Sequence, residues 1–367
     1  MIDLMGVGRG REREAADRIS EFVFEETVGS AGRRWPSDVL VDPVNRAIGQ
    51  PVHYVHPLNS ESTAEPFSFT PEHEQYVEML GVSSEWTAEQ GAPCVAVLDG
   101  GFSWAQYIGD EHYDGCGCVE RTVELVDYAS IAAAARTHGT LVSLLILSVC
   151  PSARIVPIQV FGDPNISGGR AATEWTLMSA LRHALDIGAD VINISMGFGL
   201  DDYECPHCGT LSQACRSAVL ELLVAEAVRS TRNGPVVVSA AGNDGIGILN
   251  FPARYDSSVA VSSVNSLGEP SSFTNFDATQ GHPWLLAAPG GDGRRTSNEW
   301  LAESGDHRYR GTSFAAGYVS GLISHALSVR PSTPTDALNS LAIAADSSVS
   351  KYDAKYHGRG VIRTAAA

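Results

Sequence analysis

A chain of 367 residues and 38.9 kDa has room for one large α/β domain or two modest ones, and its 44% apolar content excludes a disordered polymer. With 43 acidic against 25 basic side chains the formal charge is −18, so nucleic acid and anionic membrane surfaces are repelled and neither is expected as a partner. The apolar run Leu141 to Val149 is interrupted by Ser143 and Ser148 and falls short of the roughly 20 residues that span a bilayer.

The first twenty residues carry neither a basic start followed by an apolar run nor a small-residue cleavage site, so the chain is expected in the cytoplasm. Gly6, Gly8 and Gly10 lack the GxGxxG spacing and follow no apolar strand, which removes a dinucleotide-binding reading. Arg11 to Val28 has the pattern of a helix, and Trp35 to Pro71, with six prolines, reads as extended or looped. Composition changes near residue 91. Residues 1–90 are therefore expected to be an N-terminal extension packed on the main domain or a removable pro-segment, and 91–367 the principal domain.

From Pro93 onward, apolar strands alternate with helical patterns. Strands are expected at 94–99 (CVAVLD), 155–160 (IVPIQV), 189–197 (ADVINISMG), 235–243 (PVVVSAAGN), 258–265 and 283–290. Helices are expected over His138 to Leu147, Ala171 to Asp186, Val219 to Val228 and 311–329, the last entered through Gly311-Thr312-Ser313. Such alternation implies an α/β fold with a parallel sheet covered on both faces.

Ligands of open parallel sheets gather beyond the carboxyl ends of the strands. Asp99 ends one strand, Asn243 follows another, His138 begins a helix and Ser313 opens the long one. A hydroxyl becomes a nucleophile when a histidine takes its proton, and a carboxylate on the other ring nitrogen fixes the tautomer. Ser313, His138 and Asp99 suit those three catalytic roles. Asn243 and the Ser313 backbone N–H suit an oxyanion hole.

The blocks CVAVLDGG, THGTLVSLLI, INISMG, VVVSAAGND and GTSFAAGYVSGLI, in the order Asp, His, Asn, Ser, resemble those of the subtilisin-like serine proteases. The resemblance runs from about Leu80 to about Ala345 and includes NFPARYDSSVAVSSVNSLG and LLAAPGGD. It implies a three-layer α/β/α sandwich with a mostly parallel central sheet, and an endopeptidase that forms an acyl-enzyme on extended peptides without a catalytic cofactor. It also implies that substrate backbone lies between two segments, here Ser195-Met196-Gly197 and Ser167-Gly168-Gly169. Ala240-Ala241-Gly242 would wall the pocket for the residue before the cleaved bond.

Three departures bear on how the machinery is held. Asp99 is followed by Gly100-Gly101, the segment after His138 carries Leu141 and Ser143-Leu144, and Gly317 stands where the family has proline. Among seven cysteines (94, 116, 118, 150, 205, 208, 215), Cys116, Cys118, Cys205 and Cys208 have spacing compatible with a structural zinc, His207 or Cys215 being substitutes. Two disulfides or free thiols are the alternatives. The Asn-x-Ser triplets at Asn165 and Asn193 are glycosylation sequences only in a secreted chain. Together these features predict a monomeric, selective intracellular processing endopeptidase acting on a peptide or protein. The rivals are a catalytically silent peptide-binding module and a hydrolase of other esters or amides.

Overall fold

The computed structural model describes residues 51–54, 68–82, 92–102, 119, 122–124, 133–160, 172–198, 220–221, 223–225, 234–294, 297–304, 307–349 and 351–364. In its first half the elements are β1 (Pro51–Tyr54), β2 (Ser68–Phe69), α1 (Pro71–Met79), β3 (Cys94–Asp99), β4 (Val123–Glu124), α2 (Ala133–Val149), β5 (Arg154–Gln159), β6 (Ala172–Thr173) and α3 (Glu174–Asp186). The second half adds β7 (Val191–Ile194), β8 (Met196–Phe198), β9 (Val236–Ala240), β10 (Val259–Val264), β11 (Leu285–Pro289), β12 (Asp292–Arg294), β13 (Ser297–Glu299), β14 (Ala302–Ser304) and β15 (His307–Tyr309). Three helices close the chain: α4 (Thr312–Val329), α5 (Pro334–Ala344) and α6 (Ala354–His357).

Seven strands pair in the order β11-β10-β9-β7-β3-β5-β4, and every pairing is parallel. Because side chains alternate along a strand, each one supplies both faces of the sheet. Val95 and Val97 of β3 pack with Leu141, Val142 and Leu145 of α2 and with Phe314 and Val319 of α4. Cys94, Ala96 and Leu98 pack with Leu177 and Leu181 of α3 and with Leu220 and Val224 on the opposite side. The result is the parallel sheet covered on both faces that the alternation implies, and the three-layer α/β/α sandwich that the resemblance implies. Asp99 has the parity of Val95 and Val97, which puts its carboxylate on the α2/α4 face.

α4 is buried along nearly its whole length, so its hydroxyls require internal acceptors. Ser324 Oγ donates to Ser320 O at 2.8 Å, and Ser328 Oγ to His325 O at 2.8 Å. Gly317 and Gly321 bring α4 against α2: a Cβ at Gly317 would lie 3.3 Å from Val142 O, and one at Gly321 2.9 Å from Val149 Cβ. The glycine that replaces the family's proline thus sits at a close helix–helix approach.

The segment before residue 91 contains more order than its prolines suggest. Helix α1 has Pro71 in its first turn, where a missing N–H costs nothing. Its Tyr76, and Leu80 just past its end, are buried in the same core as α2 and α4. Tyr76 Oη donates to Glu299 Oε2 at 2.6 Å, His73 Nδ1 shares a 2.6 Å hydrogen bond with Tyr318 Oη, and Thr70 Oγ1 donates to Trp300 O. β2 pairs antiparallel with β14.

Two expectations change. Residues 189–197 form two strands, because at Ser195 the chain leaves the parallel sheet and β8 pairs antiparallel with β1. The helix expected to begin at His138 begins at Ala133, so His138 lies in its second turn. The expected helix over Arg11 to Val28 lies outside the described residues. No helix among those described is long and apolar enough to cross a membrane.

Candidate active site

The β3 strand ends at Asp99, and its neighbour β7 ends just before Ser195. At the end of β3 the Asp99 carboxylate is wholly buried, and Oδ1 accepts the Gly100 N–H at 2.6 Å. His138 Nδ1 lies 2.9 Å from Oδ1 and 3.0 Å from Oδ2. A buried imidazole facing an ionised carboxylate donates through that nitrogen, which fixes the proton on Nδ1 and makes Nε2 the basic atom. Gly139 permits the approach. A Cβ there would lie 2.6 Å from Gly101 O, 2.7 Å from Phe102 Cε1 and 2.9 Å from Asp99 Cβ, and the Gly139 N–H donates to Gly101 O at 3.2 Å. Ser143, one of the departures after His138, turns its hydroxyl back to Gly139 O at 2.7 Å.

Ser313 stands in the first turn of α4, where helix N–H groups have no intrahelical acceptor and the dipole is positive. The Phe314 ring centroid is 5.2 Å from that of His138, which brings the start of α4 beside the second turn of α2. Ser313 Oγ donates to Ser195 O at 3.3 Å, while Ser195 Oγ donates to Ser313 O at 3.3 Å. Behind this pair runs a buried polar ladder: Asn193 Nδ2 donates to Ser195 Oγ at 2.8 Å, and Ser320 Oγ donates to Asn193 Oδ1 at 3.0 Å. Asn193 is therefore a core residue, and its Asn-x-Ser triplet is closed to a glycan in the folded chain.

Asn243 follows β9, past Ala240, Ala241 and Gly242, all three of which are buried. Its Oδ1 accepts from Thr312 N at 2.9 Å and Thr312 Oγ1 at 3.1 Å. These two bonds fix the acceptor end of the amide against the start of α4 and so set its rotation. The Gly242 N–H donates to Thr312 Oγ1 at 3.2 Å. Thr312, not singled out from the sequence, therefore orients the amide. Its signal was its place in the Gly-Thr-Ser triplet before the candidate nucleophile.

Of the two expected peptide-binding segments, Ser195-Met196-Gly197 adjoins Ser313, and Ser167, Gly168 and Gly169 lie outside the described residues. The strand next after them, β6, belongs to a three-stranded sheet in the order β6-β1-β8. Its middle strand is the chain's own segment Pro51–Tyr54. It is antiparallel to both neighbours, with His53 opposite Gly197 and Tyr54 opposite Met196 on one side, and Val52 opposite Ala172 on the other. An extended piece of polypeptide thus lies beside Met196-Gly197, one residue from the Ser195–Ser313 contact.

Cys116, Cys118, Cys205, His207, Cys208 and Cys215 also lie outside the described residues, while Cys94 and Cys150 are buried and form no disulfide. Among the described residues no group of three or more His, Cys, Asp or Glu side chains is placed to hold a metal ion.

A family model described as "Subtilase family" matches residues 91–357. Mycosin-4 of Mycobacterium tuberculosis is 30% identical over 299 residues, covering 72% of this chain and 62% of its own length. The thermophilic serine proteinase of Bacillus sp. (strain AK1) is 30% identical over 241 residues, covering 62% of this chain and 50% of its own. The chain thus spans between half and about three fifths of those relatives. Among solved structures, the prenylagaramide maturation protease PagA superposes with a TM-score of 0.54 at 25% identity over 80% of this chain and 96% of its own. The epidermin leader peptide processing serine protease EpiP of Staphylococcus aureus, at 19% identity, shares the fold with a TM-score of 0.58 over 83% of this chain and 82% of its own. From the ordered motifs, the all-parallel seven-stranded sheet and the family match over residues 91–357, the chain belongs to the subtilase family.

Proposed function

We propose that the protein is a serine endopeptidase of the processing type, cutting a specific peptide or protein substrate through an acyl-enzyme. The observation that carries the peptide class is the β6-β1-β8 sheet: the groove beside Ser195 already accommodates extended backbone as a middle strand, the mode by which edge strands read a peptide through main-chain hydrogen bonds. That sheet favours a peptide over a small ester. The names of two structural neighbours, a maturation protease and a leader-peptide processing protease, support selective processing.

In this reading Ser313 Oγ attacks the scissile carbonyl carbon while His138 Nε2 takes its proton. Asp99 holds the imidazole in the required tautomer and balances the imidazolium that forms. The oxyanion receives hydrogen bonds from the Asn243 amide and the Ser313 N–H, at the positive end of α4. His138 then protonates the leaving amine, and a water activated by His138 releases the acyl group. Ser195, Met196 and Gly197 align the substrate backbone. Ser167, Gly168 and Gly169 are proposed for the opposite side of the groove, and Ala240, Ala241 and Gly242 for the pocket of the residue before the cut.

The N-terminal part is proposed to be a pro-segment whose β1 strand occupies the groove until it is cut away. Tyr76 of α1, and Leu80 just past its end, are buried in the main core, so the retained chain begins upstream of Ser68 and the cut falls between Tyr54 and Ser68. A fluorophosphonate serine probe tests the nucleophile: labelling at Ser313, located by mass spectrometry, is expected in the wild type and lost in Ser313→Ala and His138→Ala. The same preparations test the pro-segment, since wild type should shorten to a new N-terminus within that interval while Ser313→Ala stays whole. A folded wild type that neither labels nor shortens would put the silent peptide-binding module in its place.

A further inference from the structure

We infer that Asn275 is a positioning residue for the oxyanion donor, a brace that fixes the Gly242–Ile246 loop on which Asn243 is carried. This rests on the proposed role of Asn243. Asn275 is fully buried in the segment after β10, and its amide uses all four of its hydrogen-bonding positions. Oδ1 accepts from Asp244 N at 2.9 Å and Ile246 N at 3.3 Å; Nδ2 donates to Asp244 Oδ2 at 3.1 Å and Asn250 Oδ1 at 3.3 Å. The Asn275 backbone N–H donates to Gly242 O at 2.9 Å. The two residues flanking Asn243 in sequence are thus both held by this one residue, Gly242 through its carbonyl and Asp244 through its N–H and carboxylate.

The loop needs such a brace because it leaves β9 in a conformation few residues adopt. Gly242 has φ +118°, and a Cβ there would lie 2.1 Å from Asn275 Nδ2 and 2.8 Å from Asn250 Nδ2. Gly242 is therefore seated directly on the Asn275 amide, which replaces the space a side chain would take. On its far side the Asn243 side chain is tied to Thr312. Thr312 sets which way the amide faces, and Asn275 sets where its backbone stands. Since a misplacement of about 1 Å can cost ~100-fold in rate, the brace acts on turnover without touching substrate.

The test is a double-mutant cycle on a cleavable peptide. Asn275→Ala is expected to lower kcat by roughly 10- to 100-fold with KM little changed, on the same positional argument. Because the brace acts through Asn243, adding Asn275→Ala to Asn243→Ala should lower kcat little further, although it lowers Tm by the same amount in both backgrounds. Asn275→Asp keeps both acceptor contacts and sets a second carboxylate against Asp244; it serves the same cycle if the alanine variant does not fold. A folded Asn275 variant with wild-type kcat, or a loss that is equal in both backgrounds, would overturn the inference while leaving the hydrolytic reading intact. Wild-type kcat in Asn243→Ala alone would remove the role of Asn243 in that reading, and this inference with it.

Discussion

Thr312 and Asn243 are joined by two hydrogen bonds to a single oxygen, the backbone N–H and the hydroxyl of Thr312 both reaching Asn243 Oδ1. Because the acceptor end of the amide is spent on the helix start, its donor end is oriented by construction. Replacing Thr312 with valine keeps the backbone donor and shape but removes the hydroxyl, which also accepts the Gly242 N–H. Thr312→Val is expected to lower kcat by about 10-fold, and Asn243→Ala by about 100- to 1,000-fold, the range known for loss of one such donor in a subtilisin. Steady-state kinetics on one peptide substrate check both, with KM within about twofold of wild type if the interaction is made only in the transition state.

Gly139→Ala is expected to damage the Asp99–His138 pair itself. The nearest atom to the added methyl is the Gly101 carbonyl oxygen at 2.6 Å, backbone that cannot swing aside. Overpacking of this kind costs about 1–3 kcal/mol, and here relief requires moving α2 away from the end of β3. Thermal denaturation should show the lower Tm, and the rate of fluorophosphonate labelling at Ser313 should fall with it.

The buried ladder behind Ser313 predicts a stability loss out of proportion to size. Asn193→Ala leaves the Ser320 hydroxyl without its acceptor and removes one of the bonds of the Ser195 hydroxyl, which still donates to Ser313 O, and a stranded buried polar group costs about 1–3 kcal/mol. Urea unfolding should show a lower midpoint at an unchanged slope. An Asn193→Ala chain as stable as wild type would mean that the ladder contributes nothing.

Acid should weaken the hold of α1 on the core. Burial lowers the His73 pKa from 6.5 to about 4, so between those values the unfolded state binds the proton and the folded state does not. Stability therefore rises with pH across that interval, is fully present above pH 6.5 and is lost as pH falls toward 4, by roughly 3 kcal/mol for this group. His282 and His325, also lowered by burial, act in the same direction. Urea unfolding at pH 7 and pH 5 should show the loss, and His73→Gln should flatten the slope.

The sequence by itself determined the layer order of this protein and singled out its candidate site residues. Six apolar runs bounded by turn residues marked β3, β5, β7, β9, β10 and β11, because a strand buried on both faces must be apolar throughout. Asp99, Asn243 and Ser313 stood out because they lie at the end of β3, just after β9 and in the first turn of α4, whereas His138, expected at a helix start, lies in the second turn of α2. Local pattern has limits, however. Residues 189–197 read as one strand, and only the antiparallel partner β1, more than 130 residues earlier, shows why the chain breaks at Ser195. Helix α1 was hidden among prolines, since the burial of Tyr76 depends on α4 and Glu299, distant in sequence. Thr312, Asn193 and Asn275 carry no periodic signal at all. Their roles arise from hydrogen bonds that reach across as many as 127 positions, and a polar side chain shows its partner only when the fold has removed the water that would otherwise compete for it.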